Sequence, residues 1–267
     1  MKSQKTHAER IAGPWSLVLG PRLFFTALQF LTIIPLPFTV RWRDGDLGRS
    51  MACFPLVGLT LGVLLVGLDF CLTPILPRAV GDLVLVVALS LVTGVLHLDG
   101  LADVCDGLAA RGGRERFLAV MKDSRIGAAG AAGLVLGLLL KYQALLQLPM
   151  AGKREMLMLF PLLARAAQVQ LAVGARQARS DGLGAACSAD AGFFHLVIAE
   201  LTALALGWLL LGRQGAICWG SAVAFTAICR WWFHRRLGGI TGDVIGCVSE
   251  LNEILCLLML LGMNFKP

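Results

Sequence analysis

Seven apolar stretches recur along this chain, at 52–72, 80–98, 126–148, 156–174, 196–211, 214–233 and 244–264. About twenty apolar residues in a helix cover the ~30 Å of a bilayer's hydrocarbon, and these stretches cluster around that length. Within hydrocarbon the backbone has no water to bond, so each stretch must satisfy its own amides as a helix. A mean hydropathy of +0.75 with only 15% charged residues lies outside the range of an ordinary soluble domain. The expected architecture is therefore all-α: a single domain over 1–267, a polytopic transmembrane bundle of about seven spans. Residues 22–36, closed by Pro35-Leu36-Pro37, are too short for an easy crossing and predict a re-entrant or interfacial helix ahead of the bundle. The basic opening MKSQKTHAER lacks a small-residue cleavage site and is broken further on by Pro14, Gly20 and Pro21, so no removable signal peptide is expected.

The net charge of +7 divides unevenly between the two sides of such a bundle. With residues 22–36 not crossing and the N-terminus in the cytoplasm, sixteen Lys and Arg fall in cytoplasmic segments and five on the opposite side. That bias orients the protein by the positive-inside rule. No nucleic-acid partner is expected, and a homo-oligomer is compatible with the sequence. The eight cysteines show no CxxC and no zinc-type spacing, so no disulfide framework is expected. Gly58 and Gly62 form a GxxxG, and Gly127, Gly130, Gly133 and Gly137 recur at helical spacing, which predicts close helix packing.

Carboxylates beside a bilayer are costly, so a cluster of them points to a cation. Asp99, Asp103 and Asp106 in HLDGLADVCDG follow an i, i+4, i+7 pattern on one helix face, and Asp243 in GGITGDVIG lies on the same cytoplasmic side. Taken singly each could be a helix cap. Together they suit a hard divalent cation such as Mg²⁺, held by carboxylates, water and substrate phosphate. Lys122 and Arg125, beside Asp123 and Ser124 in KDSRIG, would share the charge of a phosphate ester, with Arg111, Arg235 and Arg236 on the same side. Glu250 and Glu253 enter the last span, either as a second carboxylate wall or as partners of Arg165 or Arg230. His97 is a candidate general base, or a hydrogen-bonded interfacial histidine. These residues describe a metal-dependent membrane enzyme acting on a phosphate-bearing substrate; a cation-coupled transporter using the same carboxylates is the alternative.

The segments FFTALQFLTIIPLP (24–37), CFPLVGLTLG (53–62), GVLHLDGLADVCDGL (94–108), MKDSRIGAAG (121–130), ARQARSDGLGA (175–185) and GGITGDVIGCVSELNE (238–253) resemble the cobalamin synthase family of adenosylcobinamide-GDP ribazoletransferases. Val95 and Cys105 stand where the family pattern would have Gly and Ala. The resemblance implies a Mg²⁺-dependent enzyme of the bacterial inner membrane, active on the cytoplasmic side. Its substrates would be adenosylcobinamide-GDP and α-ribazole or its 5′-phosphate, and GMP would leave. Asp99, Asp103 and Asp243 would then hold Mg²⁺, and Asp106 would share the ion or accept the hydroxyl proton. Lys122 and Arg125 would stabilise developing charge, and His97, Arg111, Asp123, Ser124, Glu250 and Glu253 would lie along the substrate. The aspartate spacing is also analogous to that of CDP-alcohol phosphotransferases, although their fuller motif is absent.

Overall fold

The computed structural model describes residues 20–179 and 190–264. The basic N-terminal stretch, residues 180–189 of the polar loop and Lys266 lie outside the described residues. Among the described residues every regular element is helical: α1 (Pro21–Leu31), α2 (Asp46–Ser50), α3 (Phe54–Leu72), α4 (Arg78–Val92), α5 (Leu96–Ala109), α6 (Arg114–Val120), α7 (Ala128–Gln147), α8 (Lys153–Ala172), α9 (Phe193–Leu211), α10 (Arg213–Leu237) and α11 (Gly242–Asn264). A 3₁₀ turn joins α2 to α3, making one apolar helical run over Asp46–Leu72.

That run, α7, α9, α10 and α11 are the five helices long and apolar enough to cross a membrane, and the pair α4–α5 makes a sixth if counted as one broken span. The fold is thus a multi-span helical membrane bundle, and two of the seven expected stretches, 80–98 and 156–174, are not among these five helices. The stretch 80–98 is not one helix: α4 and α5 meet at an angle of 89°. The break has a local cause, because Gly94 (φ 61°) and Val95 (φ 62°) are both left-handed and a right-handed helix cannot run through them. The stretch 156–174 coincides with α8, whose Lys153, Arg154, Glu155 and Arg165 dilute its apolar character. Nearly every α8 side chain is buried, against α3, α9, α10 and α11, so α8 is the axle of the bundle. Helix α1 has 11 residues, about 16 Å, roughly half the hydrocarbon thickness, which matches the short helix expected over 22–36.

Small residues set the closest helix approaches, as their spacing predicts. A Cβ at Gly58 would strike the backbone of Pro161 and Leu162, and one at Gly62 would lie 2.5 Å from Met158 Cα, so the GxxxG seats α3 on α8. The glycine face of α7 lies on α5 in register: Gly127 and Gly130 meet Asp106, Gly133 meets Cys105, and Gly137 meets Leu101.

Candidate active site

The acidic residues converge where α5 crosses the first turn of α11. Gly100 makes that crossing possible, since a Cβ there would sit 2.5 Å from the Asp243 carbonyl oxygen. One turn deeper, Gly246 of α11 lies against the backbone of His97 in the same way. Two glycines on facing helices therefore bring Asp243 alongside Asp99 and Asp103, which are 144 and 140 residues away along the chain. Asp99 is exposed, while Asp103 and Asp243 are half-buried. The negative charges of Asp99, Asp243 and Asp106 all act on Asp103, opposed in part by the positive charge of Arg179. Among the described residues no basic group pairs with Asp99 or Asp103.

Asp106 is placed differently from its neighbours. Its carboxylate accepts the backbone N–H of Gly127 (2.7 Å) and of Gly130 (2.7 Å), the first amides of α7. A helix start carries partial positive charge and unpaired donors, and Asp106 supplies both a counter-charge and acceptors. The expected ion ligand or proton acceptor is thus engaged as the N-terminal cap of another helix.

The cations sort in the same way. Arg125 hydrogen-bonds Asp123 through Nε (3.0 Å) and Nη2 (2.7 Å), and this pairing lowers the Asp123 carboxyl to about 2. The pair is exposed, as are Lys122, Ser124 and Arg111 at the same end of the bundle. The cation that reaches the carboxylates is one that sequence reasoning did not single out, Arg179: its Nη1 lies 3.5 Å from Asp243 Oδ2 and its Nη2 donates to the Leu118 carbonyl (3.1 Å). Nothing in the composition of the 175–190 loop marks Arg179 over Arg176; only the pairing of Gln177 with Ile240, just ahead of α11, puts it there.

Glu250 and Glu253 do not join the acidic cluster. Glu253 pairs with both Arg165 and Lys141, and Glu250 with Lys141, all four buried in the core. Of the two sequence alternatives, pairing with Arg165 is the one realised; Arg230 instead donates to the carbonyls of Gln170 and Val173, 2.8 Å each. Lys141 was legible as an ionisable residue in the middle of an apolar stretch, a placement that demands a partner. His97 is buried beneath the crossing with Nε2 2.7 Å from Gln168 Nε2, and Gln168 donates to Ser249 Oγ (2.8 Å). This arrangement corresponds to the hydrogen-bonded histidine.

Among the described residues no three acidic, histidine or cysteine side chains form a ready-made ion cage. What remains, among the described residues, is a pair of carboxylates, Asp99 and Asp103, with no ion-pair contact, and a third, Asp243, loosely held by Arg179, whose charge also acts on Asp103. That donor set fits a hard divalent cation that takes part of its coordination from water and a substrate diphosphate, as Mg²⁺ commonly does.

Comparison with known proteins identifies the family. The cobalamin-5-phosphate synthase family matches residues 23–261. The chain belongs to that family. Its relatives include the adenosylcobinamide-GDP ribazoletransferase of Geotalea daltonii, 62% identical over 91% of this chain and 98% of its own length. Those of Pseudomonas savastanoi pv. phaseolicola (40% identical; 89% and 98% covered) and Acetivibrio thermocellus (32%; 86% and 93%) are similar over nearly the same extent. No solved structure matches the chain. Within this family frame, the α5–α11 crossing is built from the two quoted segments richest in acidic residues, 94–108 and 238–253.

Proposed function

We propose that this transferase of cobalamin synthesis completes the nucleotide loop of the corrinoid, from the cytoplasmic side of the bacterial inner membrane. The ribose 3′-hydroxyl of α-ribazole, or of its 5′-phosphate, attacks the phosphorus of adenosylcobinamide-GDP nearer the cobinamide. A new P–O bond forms, the bond from that phosphorus to the bridging oxygen breaks, and GMP departs with that oxygen. The hydroxyl proton passes to solvent or to a carboxylate of the cluster. The products are adenosylcobalamin, or its 5′-phosphate, and GMP.

The observation that carries this reading is the α5–α11 crossing at Gly100, which gathers Asp99, Asp103 and Asp243 at one end of a membrane bundle without a full internal counter-charge. Phosphoryl transfer asks a protein mainly for positioning and charge neutralisation, and the family relationship supplies the substrates. Asp99 and Asp103, with Asp243, would hold Mg²⁺, which would neutralise diphosphate oxygens. Asp106 fixes the start of α7 against α5 and so holds the face that carries Asp103. Lys122 and Arg125, on the exposed loop between α6 and α7, meet the nucleotide as it arrives. The buried Glu250 and Glu253 have a structural part.

The decisive experiment is direct. Detergent-purified protein should release GMP from adenosylcobinamide-GDP only when α-ribazole is present, and EDTA should abolish the release until Mg²⁺ is restored. GMP release that ignores both α-ribazole and EDTA would remove the reading.

A further inference from the structure

Arg179 is the one described cation seated on the acidic cluster, and its setting is unusual in two respects. The chain leading into it is strapped to the segment before α11. Ala178 N–H donates to the Ile240 carbonyl (3.0 Å), and Ile240 N–H donates to the Arg176 carbonyl (2.8 Å). Arg114 then ties the strap to its surroundings, with Nη2 on the Ala178 carbonyl (3.0 Å) and Nε on the Leu237 carbonyl (2.6 Å). Gly239 lets these strands of chain touch, since a Cβ there would lie 2.6 Å from Ala178 N. The root of Arg179 is thus fixed relative to Ile240, three residues before Asp243.

Its head, by contrast, is barely committed. A guanidinium offers five N–H donors. Among the described residues, the Leu118 carbonyl takes one hydrogen bond from it, and the Asp243 contact at 3.5 Å is longer than an ordinary N–H···O bond. The side chain is four-fifths buried (19% exposed), with Nη1 on the Asp243 side of the cluster. A fixed root with an under-used planar fork beside carboxylates is what exchange between two anions requires.

We propose that Arg179 is an interchangeable counter-ion: it neutralises Asp243 while the carboxylates are empty, and its guanidinium transfers to the substrate diphosphate when a divalent cation takes its place. The inference rests on the reading that Asp99, Asp103 and Asp243 hold that cation. Electrostatics gives it a sign that a purely structural arginine would lack. A positive charge beside the carboxylates competes with the ion, so removing it raises ion affinity. The same removal takes a bidentate phosphate donor from the substrate, so substrate affinity falls.

The test uses Mn²⁺ as a paramagnetic probe of the full-length protein in detergent, without nucleotide, followed by steady-state kinetics. Arg179→Gln should bind Mn²⁺ about three- to tenfold tighter than the unaltered protein, an effect kept modest by partial exposure. Its KM for adenosylcobinamide-GDP should rise about tenfold or more. Arg179→Lys keeps the charge but not the fork, so its Mn²⁺ affinity should stay unchanged while KM rises. Unchanged or weaker Mn²⁺ binding in a folded Arg179→Gln, or an unchanged KM in Arg179→Lys, overturns the proposal. Asp103→Asn separates the two levels: Mn²⁺ affinity that survives it would sink the carboxylate reading itself, whereas its loss there leaves any failure with Arg179 alone.

Discussion

Asp243 and Glu253 stand on one helix, ten residues apart, and the bundle treats them in opposite ways. Glu253, with Glu250, is matched in the core by Lys141 from α7 and Arg165 from α8, two cations for two anions, all buried. Asp243, with Asp99 and Asp103, lies at the α5–α11 crossing, where Arg179 is the cation seen in contact among the described residues. A buried charge left without a counter-charge is costly, and the quartet matches its charges internally, although Arg165 Nε and Nη2 have no hydrogen-bond partner among the described residues. The end cluster leaves its charge for something external to satisfy. A carboxylate beside apolar sequence is therefore ambiguous until its partners are known: in one region it ties helices together, in the other it is kept ready for a ligand.

The largest expected effect breaks the core region. Lys141→Met leaves two buried glutamates sharing one arginine, and removing one partner of a buried pair typically costs about 3–5 kcal/mol. Thermal unfolding in detergent should show a marked loss of stability, with activity lost only in proportion to unfolded protein. Asp103→Asn reverses the pattern. Relief of like-charge repulsion leaves stability unchanged or slightly raised, while turnover falls by about 10²–10³-fold through loss of one oriented charge. If Lys141→Met proved stable yet inactive, or Asp103→Asn unstable yet active, the division between the two regions would be misdrawn.

Much of this was legible beforehand. Apolar length indicated a helical membrane bundle, glycine spacing indicated close helix packing though not which helices would pair, and the aspartates of HLDGLAD marked a candidate site. Three things were not legible, each because it depends on contacts across the chain. The break in 80–98 depends on backbone dihedrals that apolarity does not report. The capping role of Asp106 depends on where α7 begins in space, since i+7 spacing places it on the face of Asp99 whether or not its oxygens are already engaged. Arg179 had no local signal, because a loop arginine acquires meaning only from the bridge to Ile240. Conversely, Lys141 carried a signal that remained unused: a lysine amid apolar residues calls for an acidic partner, and Glu250 and Glu253, read against Arg165 and Arg230, were not set against it.

The smallest expected effect sharpens the comparison at its joint. Val95 turns the chain from α4 into α5, the helix that presents Asp99 and Asp103, and it does so at φ 62°. A β-branched residue pays for that conformation, about 1–2 kcal/mol in the left-handed region, whereas glycine adopts it freely. Glycine also loses more chain entropy on folding, about 0.5–1 kcal/mol, which offsets part of the gain. Val95→Gly should therefore stabilise the protein by about 1 kcal/mol or less. It should leave turnover intact if the joint only redirects the chain. A gain in stability accompanied by a loss of turnover would mean that rigidity at Val95 itself holds the carboxylates of α5 against Asp243. The site would then depend on the joint as well as on the glycine crossing at Gly100.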